Sequence, residues 1–276
     1  MPALLRPLTL GELLDRVFQL YRSRFALFAG ISAIAYLPAF FMQTIIVWIP
    51  KVTSASGAIT AAGGYIVLLI VRYLALSAAI AATITVVSAA YLEQPITVRQ
   101  AYARVSGMMV RISLIMFGMG LGIGLGFVLL IVPGVILALM WALAIPVAVL
   151  EDTGFGESLS RSRYLTAGHR GRVFAIFLLY FALLLALEFA IGAPIGAIAA
   201  IKGASANPSA FPTIFLVLTF VVGFVVATLV TPVLTISLSL MYYDERVLKE
   251  AFDIQLMMNA VSGNPPQAGS SAAATA

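Results

Sequence analysis

Long apolar runs alternate with short polar stretches along this chain. The runs cover roughly residues 25–49, 64–92, 110–132, 134–150, 173–201 and 211–243. Most exceed the ~18 residues that separate a membrane span from a buried core helix. At ~1.5 Å per residue most can cross a hydrocarbon layer ~30 Å thick, with 134–150 the shortest. None shows the apolar–polar alternation of a barrel strand, and a helix satisfies its backbone groups within its own segment. The pattern predicts an all-α membrane protein with six transmembrane helices.

The polar stretches recur in one form. Thr9, Glu12 and Arg16 are followed by a long apolar hairpin; so are Thr97, Gln100 and Arg104, and again Gly154, Glu157 and Arg161. Thr with Glu or Gln three residues on is a capping box, in which each side chain satisfies a backbone N–H of the other. After the first cap, Leu10, Leu13, Leu14, Val17, Phe18 and Tyr21 recur at helical spacing, with Glu12, Asp15, Arg16, Gln19 and Arg22 opposite. Val98, Ala101, Tyr102, Val105 and Met109 repeat this after the second. In the third, Phe155, Leu159 and Leu165 keep the phase while Ser158 and Ser162 dilute it. Amphipathic interfacial helices are expected over 9–23, 97–108 and 155–168. The hairpins also end alike, at Tyr91-Leu92-Glu93, Val149-Leu150-Glu151 and Tyr242-Tyr243-Asp244. Three pseudo-repeated hairpins account for this order; linkers that simply share caps and Arg on one side of a membrane account for it too. One membrane domain is expected over 1–261, closing on a helix at 244–260, before a disordered tail at 262–276.

Composition agrees: 62% of the 276 residues are hydrophobic and 10% charged, more apolar surface than a soluble domain of this length could bury. The net charge of +5 could suggest nucleic acid, but its placement does not. Thirteen Lys and Arg fall at one set of span ends, and only Lys51 and Lys202 at the other. The positive-inside rule then puts both termini in the cytoplasm. Ten of the eleven acids share that side, so an external site built on paired carboxylates is not expected. No cleavable signal peptide is recognised at the start. With no cysteine, thiolate chemistry is excluded. No phosphate loop, dinucleotide fingerprint or metal-ligand pair is found, and no cofactor is expected.

Two ionisable residues lie well inside spans, Arg72 and Glu188. Such groups are costly in a membrane and are usually paired or functional. Their depths match, which suggests an intramembrane pair, either as structural glue or on the path of an ion or polar solute. Gly118, Gly122 and Gly126, four apart with Gly120 and Gly124 between, allow close helix packing within the chain or across a dimer. Pro133-Gly134 is expected to make the turn between spans three and four, and Pro38, Pro146, Pro194 and Pro232 can kink spans. Arg161, Arg163, Arg170 and Arg172 form a dense basic surface able to attract anionic lipid headgroups. Glu151, Asp152, Glu157 and His169 are the groups an enzyme at the cytoplasmic mouth would need, and read equally as a solvated loop.

Several segments resemble a family of bacterial six-span proteins, the membrane domain associated with glycerophosphoryl diester phosphodiesterases. They are Leu10 through Arg16 (LGELLDR), Ile131 through Gly134 (IVPG), Glu157 through Leu165 (ESLSRSRYL) and Tyr242 through Asp253 (YYDERVLKEAFD). The resemblance implies a six-helix membrane domain of unestablished role and no phosphodiesterase activity in these residues. His169-Arg170-Gly171 matches the tripeptide that opens the phosphodiesterase motif. That chemistry needs a second His and metal-binding carboxylates on a barrel, and the chain has one His, so the match is read as chance. The expected function is non-enzymatic: organising membrane, or interacting with lipid, anionic lipid included, or with a membrane partner protein. A small-solute transporter or channel is the alternative.

Overall fold

A computed structural model describes residues 8–48, 55–91, 94–203 and 211–261. The expected tail at 262–276 and Lys51 lie outside the described residues. The helices are α1 Leu10–Ser23, α2 Phe25–Trp48, α3 Ala55–Tyr91, α4 Val98–Ser106, α5 Met109–Leu129, α6 Ile131–Met140, α7 Ala144–Leu150, α8 Phe155–Thr166, α9 Arg170–Leu187, α10 Ala193–Gly203 and α11 Phe211–Val261. A π-helical turn, Glu188–Gly192, joins α9 to α10. There is no strand among the described residues. Six segments are long and apolar enough to cross a membrane: Phe25–Ile45, Ala62–Tyr91, Val98–Leu129, Ile131–Leu150, Arg170–Ile198 and Phe215–Glu250.

Three expected boundaries move. Pro133-Gly134 is not a turn: the chain reverses at Leu130, an extended residue, and both lie in the first turn of α6. Proline fits there because that N–H has no intrahelical partner. Gly134 then lets α6 lie on α5, since a Cβ on Gly126 would stand 3.0 Å from the Gly134 Cα. Second, 134–150 is not one helix. It breaks between Met140 and Ala144, and Ser162 of α8 bridges the break, donating to the Met140 carbonyl (2.8 Å) and accepting from the Leu143 N–H (3.1 Å). Thr166 also donates to Met140 O (3.3 Å). Ser162, read as diluting an apolar stripe, is fully buried because it satisfies helix-end groups that would otherwise be orphaned. Third, 244–260 is no separate helix but continues α11, because no Pro, Gly or polar loop interrupts the run.

The caps at Thr9 and Thr97 form reciprocal boxes, with Glu12 Oε2 on the Thr9 N–H (2.9 Å) and Gln100 Oε1 on the Thr97 N–H (2.9 Å). At Gly154 only half a box can exist, Glu157 accepting from the Gly154 N–H (3.4 Å), because glycine has no hydroxyl. Helix α1 lies along α11. The Leu8 N–H meets Asp244 (3.0 Å) and the Tyr21 hydroxyl meets the Leu229 carbonyl (2.9 Å), a separation of ~22 Å on a straight helix. Leu229 lies near Pro232, where the missing N–H disturbs the backbone ladder. Burial pushes the Tyr21 phenol above its ordinary value of 10, which keeps it a donor.

The core lies at the end of the bundle where Arg111, Arg161, Arg172 and Arg246 gather, here called the basic end. The second half of α3 occupies its centre, with Ala75, Ala78, Ala79, Ala81, Ala82, Ile84, Val86, Val87 and Ala89 buried against α2, α4, α5, α7 and α11. Small side chains allow that many helices to approach one axis. The ends of the expected hairpins converge there: Tyr91 stacks on Tyr243 at 4.6 Å, and the Tyr242 hydroxyl donates to Glu151 (2.7 Å). Toward the other end the helices spread. Tyr65, Ile66, Leu69 and Ile70 of α3 and Leu178, Phe181 and Leu185 of α9 are exposed.

Candidate functional site

The spread end holds a cavity of about 810 Å³ between α2, α3, α9 and α11. It collects much of the polarity of the apolar segments. Arg72 and Tyr73 come from α3, Tyr36 and Gln43 from α2, Tyr180 from α9, Glu188 from the π turn, and Thr219 and Thr231 from α11. Phe40, Phe220 and Phe224 add aromatic wall.

Arg72 lies 17 residues from the start of α3 at Ala55 and Glu188 15 from the end of α10 at Gly203, so each stands well inside an apolar segment. They line one cavity but form no ion pair, and neither makes a hydrogen bond to a described residue. Both are exposed into the opening instead of being sealed in packing. An unpaired charge at the centre of a membrane helix costs about 2.5–3.5 kcal/mol. Two opposite charges left apart in one cavity therefore make a strong site for a ligand carrying both signs.

The local backbone explains how Glu188 arrives there. Pro194 cannot donate to the carbonyl four residues back and its ring crowds that carbonyl. The π turn Glu188–Gly192 takes up the misfit just before it, and such turns occur frequently at functional sites. At the inner end of the cavity the Tyr36 hydroxyl meets Thr231 Oγ1 (3.1 Å), and Phe40 packs on Phe224 at 5.2 Å. The Tyr73 hydroxyl, one residue from Arg72, is buried without a partner. Beyond Tyr36, toward the basic end, Phe28 and Ile31 are fully buried, so the cavity is closed on that side.

A second polar cluster lies at the basic end. Arg172 joins Asp244 (2.7 Å), Glu245 (3.1 Å) and the Leu8 carbonyl (3.1 Å). His169 Nδ1 meets the other oxygen of Glu245 (2.7 Å), whose side chain is 0% exposed. Arg161 pairs with Glu151 and Glu250, and Arg246 with Glu250 (2.7 Å). Lys249 meets the carbonyls of Tyr164 and Ala167, capping α8. Arg161 and Arg172 thus tie α11 to the helices around it. Arg163 is exposed and Arg170 half-buried. Asp152, at φ 55°, pairs with Arg111. Glu151, Asp152, Glu157 and His169 each have a separate structural partner and do not converge on one point. No group of three metal-ligating side chains is present among the described residues.

The glycines of α5 meet neighbours of the same chain. A Cβ on Gly118 would stand 2.4 Å from the Phe155 ring and one on Gly122 2.7 Å from Trp141, whereas Gly120 and Gly124 face open space.

Arg72 and Glu188 stood out in the sequence because they are charged in apolar runs. Tyr36, Tyr73, Tyr180 and Thr231 did not, because Tyr and Thr are common in such runs whatever they face. No family model, curated protein or solved structure matches the chain.

Proposed function

We propose that this chain is a non-enzymatic, multi-pass protein of a bacterial inner membrane that binds a polar-headed ligand in the cavity between α2, α3, α9 and α11. Both termini face the cytoplasm, which makes the basic end cytoplasmic and opens the cavity toward the exterior. α1, α4 and α8 each precede a hairpin as amphipathic anchors of three pseudo-repeated units, in the manner of the phosphodiesterase-associated membrane domain that the sequence resembles. The exposed Arg163 extends the basic surface toward anionic lipid. The observation that carries the reading is the presence of Arg72 and Glu188, opposite in charge and unpaired, in one cavity deep within the apolar segments.

The chain contains no cysteine, so a single introduced thiol gives a clean readout. Thr219→Cys, on the exposed wall, is expected to react with a membrane-impermeant maleimide added outside intact cells. Arg163→Cys is expected to react only after the cytoplasmic face is opened. Labelling of Thr219→Cys from the cytoplasmic face alone would overturn the reading.

Transport of a small solute is the second reading. It draws on the helix irregularities beside the cavity, Pro232 next to Thr231 and the π turn at Glu188, because broken helices at mid-membrane line the sites of many transporters. It requires the Tyr36–Thr231 contact to open, so Tyr36→Cys should then become reactive from the cytoplasm when substrate is supplied. A thiol there that stays inert from that side in every condition rejects transport.

A further inference from the structure

Arg72 and Glu188 bring opposite charges into one cavity without cancelling each other. We propose that the cavity binds the headgroup of a zwitterionic phospholipid, with phosphate on Arg72, ammonium on Glu188, and acyl chains leaving between α3 and α9 into the bilayer. This rests on the reading of the cavity as a ligand site and adds the chemical class of the ligand.

Three observations point the same way. The planar guanidinium of Arg72 suits two phosphate oxygens at once, and the partnerless Tyr73 hydroxyl is a further donor beside it. Across the cavity, Glu188 can accept from an ammonium, while the rings of Tyr36 and Tyr180, in the same lining, stabilise that cation. Next, the charges are flanked by exposed apolar side chains. Leu69 is 51% exposed one turn from Arg72, and Leu185 is 54% exposed one turn from Glu188. A water-soluble zwitterion gains nothing from such a rim, whereas acyl chains bury against it. Finally, α3 packs chiefly on α2, α4, α5, α7 and α11, whereas α9 packs on α6 and α11, which leaves a seam between α3 and α9 for the chains. A volume of about 810 Å³ holds a headgroup and the start of its chains.

The full chain, purified in detergent, should be offered equal amounts of dioleoyl phosphatidylethanolamine and dioleoyl phosphatidylglycerol and examined by native mass spectrometry. Wild type is expected to retain the ethanolamine lipid about tenfold over the glycerol lipid, the factor a charge-assisted hydrogen bond supplies. Glu188→Gln should bring the two to parity by weakening only the ethanolamine lipid, and Arg72→Gln should weaken both by about tenfold. A large excess of soluble phosphoethanolamine should not displace the lipid. A wild-type preference for the glycerol lipid overturns the proposal, as does an unchanged preference in Glu188→Gln. Displacement by phosphoethanolamine overturns it in favour of a soluble zwitterion. Should either charge variant fail to fold, Thr219→Cys in the otherwise unaltered chain decides. Ethanolamine lipid, and not glycerol lipid, must slow its maleimide reaction, and equal rates overturn the proposal. Protection by the glycerol lipid alone defeats the zwitterion and leaves a ligand site standing. Labelling of Thr219→Cys from the cytoplasmic face alone defeats the site itself.

Discussion

Glu245 sits mid-helix in α11 with no exposed side-chain surface, and its two oxygens are taken by Arg172 and His169. A buried carboxylate persists only where cations and donors replace the water it lost. Glu245→Ala leaves the mostly buried Arg172 guanidinium with Asp244 as its one carboxylate partner, so we expect a loss of about 3–5 kcal/mol, the range for a broken buried pair, read as a large fall in the detergent-solubilised melting temperature. Steric fit is equally local. In α5, Gly122→Ala must displace the Trp141 ring while Gly124→Ala meets nothing within 4 Å. The first should cost about 1–3 kcal/mol by overpacking and the second should gain up to about 1 kcal/mol from helix propensity, so melting temperatures move in opposite directions. At this scale the sequence was legible where a residue conflicts with its surroundings. Arg72 and Glu188 are conspicuous among Leu and Ala, and both line the cavity. Ser162 conflicts just as plainly with an apolar stripe, yet its role depended on a helix break in α6–α7 that no local pattern announces.

Among the elements, α1, α4 and α8 share a layout but not a cap. Thr9 and Thr97 complete a box and Gly154 cannot. The Gly154 backbone is already extended, at φ −78° and ψ −179°, and a Cβ there meets nothing within 4 Å. Gly154→Ser should therefore add the missing hydroxyl and stabilise by a few tenths of a kcal/mol, whereas Thr9→Ala should cost about 1 kcal/mol. Amide exchange in the first turn of each helix would register both. These starts were readable because a cap is written within four residues. The break at Trp141–Leu143 was not, because no Gly or Pro falls between Val135 and Ile145. It exists because α8 supplies Ser162 and Thr166 to the loose ends. The end of α11 was misplaced for the converse reason. Asp244 and Glu245 look like the polar boundary of a span, but Arg172 and His169 meet them inside the bundle and the helix continues.

The whole molecule divides into a clasped end and an open one. At the basic end α1, α3, α7, α8, α9 and α11 are tied by ion pairs and by the buried Ala-rich face of α3. At the other end the helices separate around unpaired charges. Stability of this kind is not uniform: local opening follows the density of buried contacts. Amides of residues 75–89 should thus exchange only through global unfolding, and those of the π turn Glu188–Gly192 orders of magnitude faster. Among the described residues the two clusters share no polar contact. Arg172 lies at the start of α9, and Glu188, sixteen residues on, is ~24 Å away along the helix. Sites so far apart, with no shared partners, add nearly independently. A weakened clasp, for which Glu245→Gln is the milder change, should raise exchange in α1 and the first turn of α9 and leave Glu188–Gly192 unchanged. If Glu245→Gln accelerates exchange at Glu188–Gly192 to the same degree as in α1, then α11 couples the two ends, and the clasp at the basic end is part of how the cavity opens.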